Sequence, residues 1–132
     1  MREITGITFG AFDPIHYGHI QLLELCKSHC DRLIVCVSDD NYIRSRKNRP
    51  PYLPLRQRIR HVGAIRYVDM VGVQSLEFGK PEAVLLYKPD VVLVGDDWNK
   101  STFGGEGLGV PVIYLPRTKR ISSTQIRNAD AR

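Results

Sequence analysis

The chain has 132 residues, 42% hydrophobic and 25% charged, and nineteen lysines and arginines against fourteen acids give a formal net charge of +5. A chain of this length buries roughly 65 to 70% of its unfolded surface, enough for one core, so a single domain over residues 1–132 is expected. The composition excludes a disordered tail and a fibrous chain, and no apolar run approaches the ~18 residues of a membrane-spanning helix.

The apolar runs are short, rich in β-branched residues and regularly spaced. The first, residues 4–9, reads as a strand, and further strands are predicted over 33–37, 70–73, 91–94 and 112–115. Their nearly continuous apolar character suits a parallel sheet buried on both faces. Between the first two strands, Ile20, Leu23, Cys26 and Cys30 repeat at helical spacing with Leu22 and Leu25 beside them, which predicts a helix over 17–30. Residues 39–54, with Pro50, Pro51 and Pro54, read as a loop. Leu55, Ile59, Val62 and Ile65 then predict a helix over 55–66. A short helix over 81–87 starts with Pro81 in its first turn and stops before Lys88-Pro89. Residues 101–109, with four glycines, form a second loop. A last helix over 122–129 is opened by Ser122, Ser123 and Thr124, all good N-cap residues.

Strands alternating with helices predict an α/β fold: a single Rossmann-like, doubly wound domain with a five-stranded parallel sheet. In such sheets ligands bind beyond the carboxyl ends of the strands, where the loops after Phe9, Val37, Val94 and Leu115 would gather.

The most informative segment is Gly10-Ala11-Phe12-Asp13-Pro14-Ile15-His16-Tyr17-Gly18-His19, between the first strand and the first helix. Gly10, Ala11 and Gly18 are small enough for backbone to approach a ligand closely. His16 and His19 are three apart, so both imidazoles can lie on one side of the opening helical turn. The helix end adds unpaired N–H groups and a partial positive charge, which together describe a phosphate site with two hydrogen-bond donors aimed into it.

Charge is clustered. No acid lies between Asp40 and Asp69, a stretch that holds Arg44, Arg46, Lys47, Arg49, Arg56, Arg58, Arg60 and Arg66, and Arg117, Lys119, Arg120 and Arg127 form a second group near the carboxyl end. Such clusters attract an anion, either RNA or a nucleoside triphosphate. Against an RNA-binding module stand the low aromatic content of 8% and the absence of an RNP-like run or a GxxG loop.

Cys26, Cys30 and Cys36 are an odd number in a chain that needs no disulfide, so reduced thiols are expected. A metal site built from Cys26, His29 and Cys30 is the sharper alternative, though no CxxC pair supports it. The amino end lacks the apolar stretch of a signal peptide, which makes the cytoplasm the expected compartment.

The GAFDPIHYGH segment resembles the GxFDxxHxGH signature of the HxGH nucleotidyltransferase superfamily, with His16-Tyr17-Gly18-His19 as the HxGH itself. Residues Arg117 to Thr124, RTKRISST, are similar to the RTEGISTT motif of the cytidylyltransferases, and Gly95-Asp96-Asp97-Trp98 to their GDDW segment. The IRYVD of residues 65–69 and the YLPRT of residues 114–118 look like the glycerol-3-phosphate cytidylyltransferase branch. Pro14-Ile15 is instead more typical of nicotinate-mononucleotide and pantetheine-phosphate adenylyltransferases, which keeps ATP open as the nucleotide.

The resemblance implies transfer of CMP from CTP to a small phosphorylated alcohol, glycerol 3-phosphate first, with release of pyrophosphate. It implies that His16, His19, Lys47 and Arg117 act on the phosphates, and that Gly10, Ala11, Phe12, Gly18, Asp97, Trp98, Ser122, Ser123 and Thr124 hold the nucleotide. Asp13 and Arg58 are then candidates for the acceptor side. No cluster of acids forms a protein-built metal cage, so Mg²⁺ is expected to arrive on the triphosphate. Relatives of this kind imply a homodimer, with no nucleic acid and no membrane among its partners.

Overall fold

In the computed structural model, which describes residues 2–95 and 108–116, the elements run β1 (Thr5–Gly10), α1 (Tyr17–Lys27), β2 (Arg32–Ser38), α2 (Asp40–Lys47), α3 (Leu55–Gly63), β3 (Met70–Gln74), α4 (Lys80–Tyr87), β4 (Val91–Gly95) and β5 (Val112–Leu115). All five predicted strands are present and pair in parallel in the order β3-β2-β1-β4-β5. This is the doubly wound α/β architecture that the alternation of elements predicts.

Side-chain alternation divides the core between the two faces of the sheet. Leu33, Val35 and Val37 of β2 and Val91 and Leu93 of β4 pack on one face with Leu23 and Cys26 of α1 and Val62 of α3. Ile34 and Cys36 of β2, Ile7 and Phe9 of β1, and Val92 and Val94 of β4 pack on the other with Ala83 of α4. Covering on both faces is why these strands read as continuous apolar runs.

Three predicted boundaries shift. The first helix stops at Lys27, three residues short of expectation, where Ser28 caps it and bonds back to the carbonyl of Leu25. Its Ile20, expected in the core, is exposed. The helix predicted over 55–66 ends at Gly63, where a residue of low helix propensity meets the turn into β3. The predicted loop 39–54 contains a whole helix, α2. Asp39 caps its N-terminus by accepting from the Tyr42 N–H at 2.7 Å, and Asn48 closes it in the left-handed conformation at φ 55°. Only Ile43 of this helix is buried, so there is no apolar stripe to reveal it. The predicted helix 122–129 and most of the loop 101–109 lie outside the described residues.

The chain runs outward from β1 to β2 and β3, then returns to place β4 on the other side of β1. The crevice between the carboxyl ends of β1 and β4 is therefore the switch point at which open α/β sheets bind their ligands. Among the described residues, no helix is long and apolar enough to cross a membrane.

Candidate active site

The loop from β1 to α1 is tightly determined. Phe12 is buried and adopts φ 51°, the left-handed region that a bulky side chain rarely enters, and the Asp13–Pro14 peptide bond is cis. A residue held in such a conformation is characteristic of a functional turn. The ring of Phe12 meets that of His19 edge-on, with centroids 5.1 Å apart.

His16 is the N-cap of α1. Its Nδ1 accepts from the Gly18 N–H at 3.0 Å, while the His16 N–H donates to Nδ1 of His19 at 3.2 Å. This reciprocal capping box satisfies two helix-end donors. It also fixes the chemistry of both rings. An Nδ1 that accepts from an N–H carries no proton, so each neutral imidazole bears its proton on Nε2 and presents a donor there. The rings stack at 3.9 Å, an arrangement that two imidazolium ions would oppose. Burial lowers the pKa of His16. For His19, burial, with the charge of His16 and Lys47 acting in the same direction, brings it down to about 3. The pair is therefore two neutral N–H donors at the positive end of a helix.

Two cavities adjoin this turn. One, of about 220 Å³, is lined by Gly10, Ala11, Phe12, Asp13, His19 and Lys47, with Gly95 from the end of β4. The other, of about 200 Å³, is lined by Tyr42, Arg46, Gln74 and Lys80 among others. Phe9, Gly10, Ala11 and Lys47 belong to both, so one strand end and one lysine form the wall between them. Of the expected site, Gly10, Ala11, Phe12, His19 and Lys47 line the first cavity, while His16 and Gly18 adjoin it through the capping bonds and the stacked rings and are not among its lining residues. Arg117, Asp97, Trp98, Ser122, Ser123 and Thr124 lie outside the described residues.

The second cavity contains residues that sequence reasoning missed. Lys80, at the start of α4, is nearly buried with its Nζ 5.4 Å from the centre of the Phe9 ring. Burial, reinforced by the charge of Arg46, lowers its pKa to about 8. Gln74 ends β3 and donates to the Tyr42 hydroxyl, as does Arg46. The available signal was topological: the carboxyl end of β3 opens on the same rim as the four strand ends considered from sequence.

Arg58 and Asp13, expected at the acceptor, are placed differently. The Arg58 side chain is fully buried. Its guanidinium donates to the carbonyls of Leu53, Ala11 and Ser38 and pairs with Asp40 at 2.7 Å. Asp13 borders the histidine cavity, but its carboxylate accepts from the N–H groups of Tyr52 and Leu53, each at 2.7 Å, with Arg49 at 3.8 Å. Both residues expected on the acceptor side are interior groups whose polar atoms bond to the protein.

The three cysteines are free thiols, two of them buried, and burial raises Cys26 and Cys36 to about 12. Among the described residues no group of three His, Cys, Asp or Glu side chains gathers to hold a metal ion.

The cytidylyltransferase-like family profile matches residues 7–129. The chain is 39% identical over 126 residues to the FAD synthase of Pyrococcus horikoshii, covering 87% of this chain and 82% of that one. It is 37% identical over 121 residues to the glycerol-3-phosphate cytidylyltransferase of Bacillus subtilis, covering 92% of each. The lipopolysaccharide core biosynthesis protein of Thermoplasma volcanium superposes with a TM-score of 0.76 at 24% identity, over 89% of this chain and 99% of that one, a likeness of fold. A fold with its crevice at the switch point, a capped histidine pair whose His19 lines that crevice and a family match over nearly the whole length lead to one conclusion: the chain belongs to the cytidylyltransferase-like family of nucleotidyltransferases.

Proposed function

We propose that this protein is a cytidylyltransferase that transfers CMP from CTP to a small phosphorylated alcohol, glycerol 3-phosphate first, and releases pyrophosphate. The observation that carries this reading is the pair of cavities sharing Lys47 and the Gly10–Ala11 backbone. One is lined by the neutral donor His19, on which the His16 ring stacks, and would take a triphosphate. The other is lined by Arg46, Lys47 and Lys80, and among the described residues no carboxylate lines it. A lining that carries three cations favours a phosphorylated ligand.

In this reading an acceptor phosphate oxygen attacks the α-phosphorus of CTP. A new P–O bond forms as the bond to the β-phosphate bridging oxygen breaks, and pyrophosphate leaves with that electron pair. The acceptor is already anionic, so no general base is required, and catalysis is alignment with stabilisation of the charge gathering on the phosphates. His16 and His19 donate through Nε2–H, the N-terminus of α1 adds its dipole, and Lys47 on the shared wall reaches both substrates. Arg117 and the hydroxyls of Ser122, Ser123 and Thr124 would complete the triphosphate site, and Asp97 and Trp98 the base pocket, on the strength of their motifs. Mg²⁺ would be held chiefly by triphosphate oxygens and water, which its chemistry favours, and would neutralise phosphate charge there. The working assembly is a cytoplasmic homodimer.

A second reading is favoured by the 39% identity to an FAD synthase and by Pro14-Ile15: transfer of AMP from ATP to a larger phosphorylated acceptor. Pyrophosphate release with Mg²⁺, crossing CTP, ATP, UTP and GTP against glycerol 3-phosphate, ethanolamine phosphate, flavin mononucleotide and nicotinate mononucleotide, separates the two. Turnover with CTP and glycerol 3-phosphate is expected. Turnover confined to ATP with flavin mononucleotide would replace the first reading by the second.

A further inference from the structure

We propose that Arg58 is a positioning residue that sets the distance between the histidine loop and the Lys47 helix, and not a ligand of the acceptor; the proposal rests on reading the two cavities as a nucleotidyltransferase site. A guanidinium presents five N–H donors in a rigid planar fork. In this protein the fork reaches four residues in three separate segments of the chain. Nε donates to Leu53 O at 2.9 Å, Nη1 to Ala11 O at 2.9 Å and to Ser38 O, and Nη2 to Asp40.

Each partner belongs to a part of the chain that shapes a cavity. Ala11 is in the wall common to both cavities and Ser38 lines the second. Asp40 opens α2, whose last residue is Lys47, and it also accepts from the Leu55 N–H. Leu53 sits in the loop that Asp13 holds from the histidine side. The loops leaving β1 and β2 and the loop entering α3 therefore meet on one side chain, which has no surface left for a substrate. A buried charge is costly unless fully bonded, and here every contact it makes is to a cavity-forming segment. Misplacing a reacting group by about 1 Å costs on the order of 10²-fold in rate, so the fork acts through Ala11 and Lys47 on the geometry of transfer.

The test uses Arg58→Lys and Arg58→Ala in the full chain, with steady-state kinetics for CTP and glycerol 3-phosphate, with and without millimolar guanidinium. Histidine ring NMR of the substrate-free protein accompanies the kinetics. An ammonium cannot span four acceptors, so Arg58→Lys is expected to lower kcat on the order of 10- to 100-fold while the acceptor KM stays within about twofold. Added guanidinium should restore part of the kcat of Arg58→Ala, and the His16 and His19 ring signals should shift in both variants. A raised acceptor KM at unchanged kcat would overturn the proposal and make Arg58 a ligand. If Arg58→Ala does not fold, Arg58→Lys decides alone. If the wild type turns over no nucleotide, the proposed function fails instead, and unchanged ring signals in Arg58→Lys would independently sink the positioning role.

Discussion

Acid should unfold this protein through His19, by an amount that can be worked out. The unfolded chain takes a proton on this ring near 6.5, whereas the folded ring takes one only near 3, because burial and the neighbouring positive groups disfavour the imidazolium. Between those values the unfolded state binds more protons, so stability falls as the pH falls, and above about 7 both states are neutral and His19 contributes no slope. At pH 5 the loss from this one group is about 2 kcal/mol, and each further unit of acidification removes about 1.4 kcal/mol until the folded ring itself titrates. The value at pH 5 hardly depends on the folded pKa, because the folded ring is still neutral there. His19→Asn is the control: its amide oxygen can accept from the His16 N–H as Nδ1 does, yet it cannot titrate. Urea unfolding at pH 7.5 and pH 5 should show the wild type losing about 2 kcal/mol more than the variant, or about 6–12 °C in Tm. Equal losses in the two proteins would show that the ring is not held neutral, and would remove the basis for treating it as an Nε2–H donor.

Replacing either His16 or His19 by Ala should lower kcat on the order of 10²- to 10³-fold, as loss of one transition-state donor does, measured by pyrophosphate release. Lys80 should carry its charge below about pH 8 and lose it above, so the KM for glycerol 3-phosphate should rise as the pH passes that value, and this dependence should vanish in Lys80→Met. Asp13→Asn should destabilise the fold by about 2–4 kcal/mol in urea, because one of two buried charge-assisted bonds to the N–H groups of Tyr52 and Leu53 is replaced by a donor facing a donor.

The sheet was legible because its central strands β1, β2 and β4 are covered on both faces, and dual burial leaves a run of apolar residues that needs no context to be seen. The histidine pair was legible for the same local reason: three residues of spacing at a strand-to-helix junction carry the whole motif. Helix α2 was not, since it buries only Ile43 and is defined by caps at Asp39 and Asn48 and not by an apolar stripe. The burial of Arg58, an acceptor candidate from its motif, was not legible because it depends on Ala11, 47 positions away, and Ser38, 20 positions away, arriving at the same point. Lys80 was overlooked for a similar reason: its place beside Phe9 follows from sheet order, which no local pattern reveals.

The partition between the two cavities has a thermodynamic consequence. Because Lys47, Gly10 and Ala11 line both spaces, any adjustment of this partition on filling one space alters the affinity of the other. Such an effect is reciprocal by necessity: the factor by which one substrate changes the hold on its co-substrate equals the factor in the opposite direction. If each space takes one substrate, the two form a linked pair, so a substitution in the partition, unlike one on an outer wall, changes their interaction energy as well as each separate affinity.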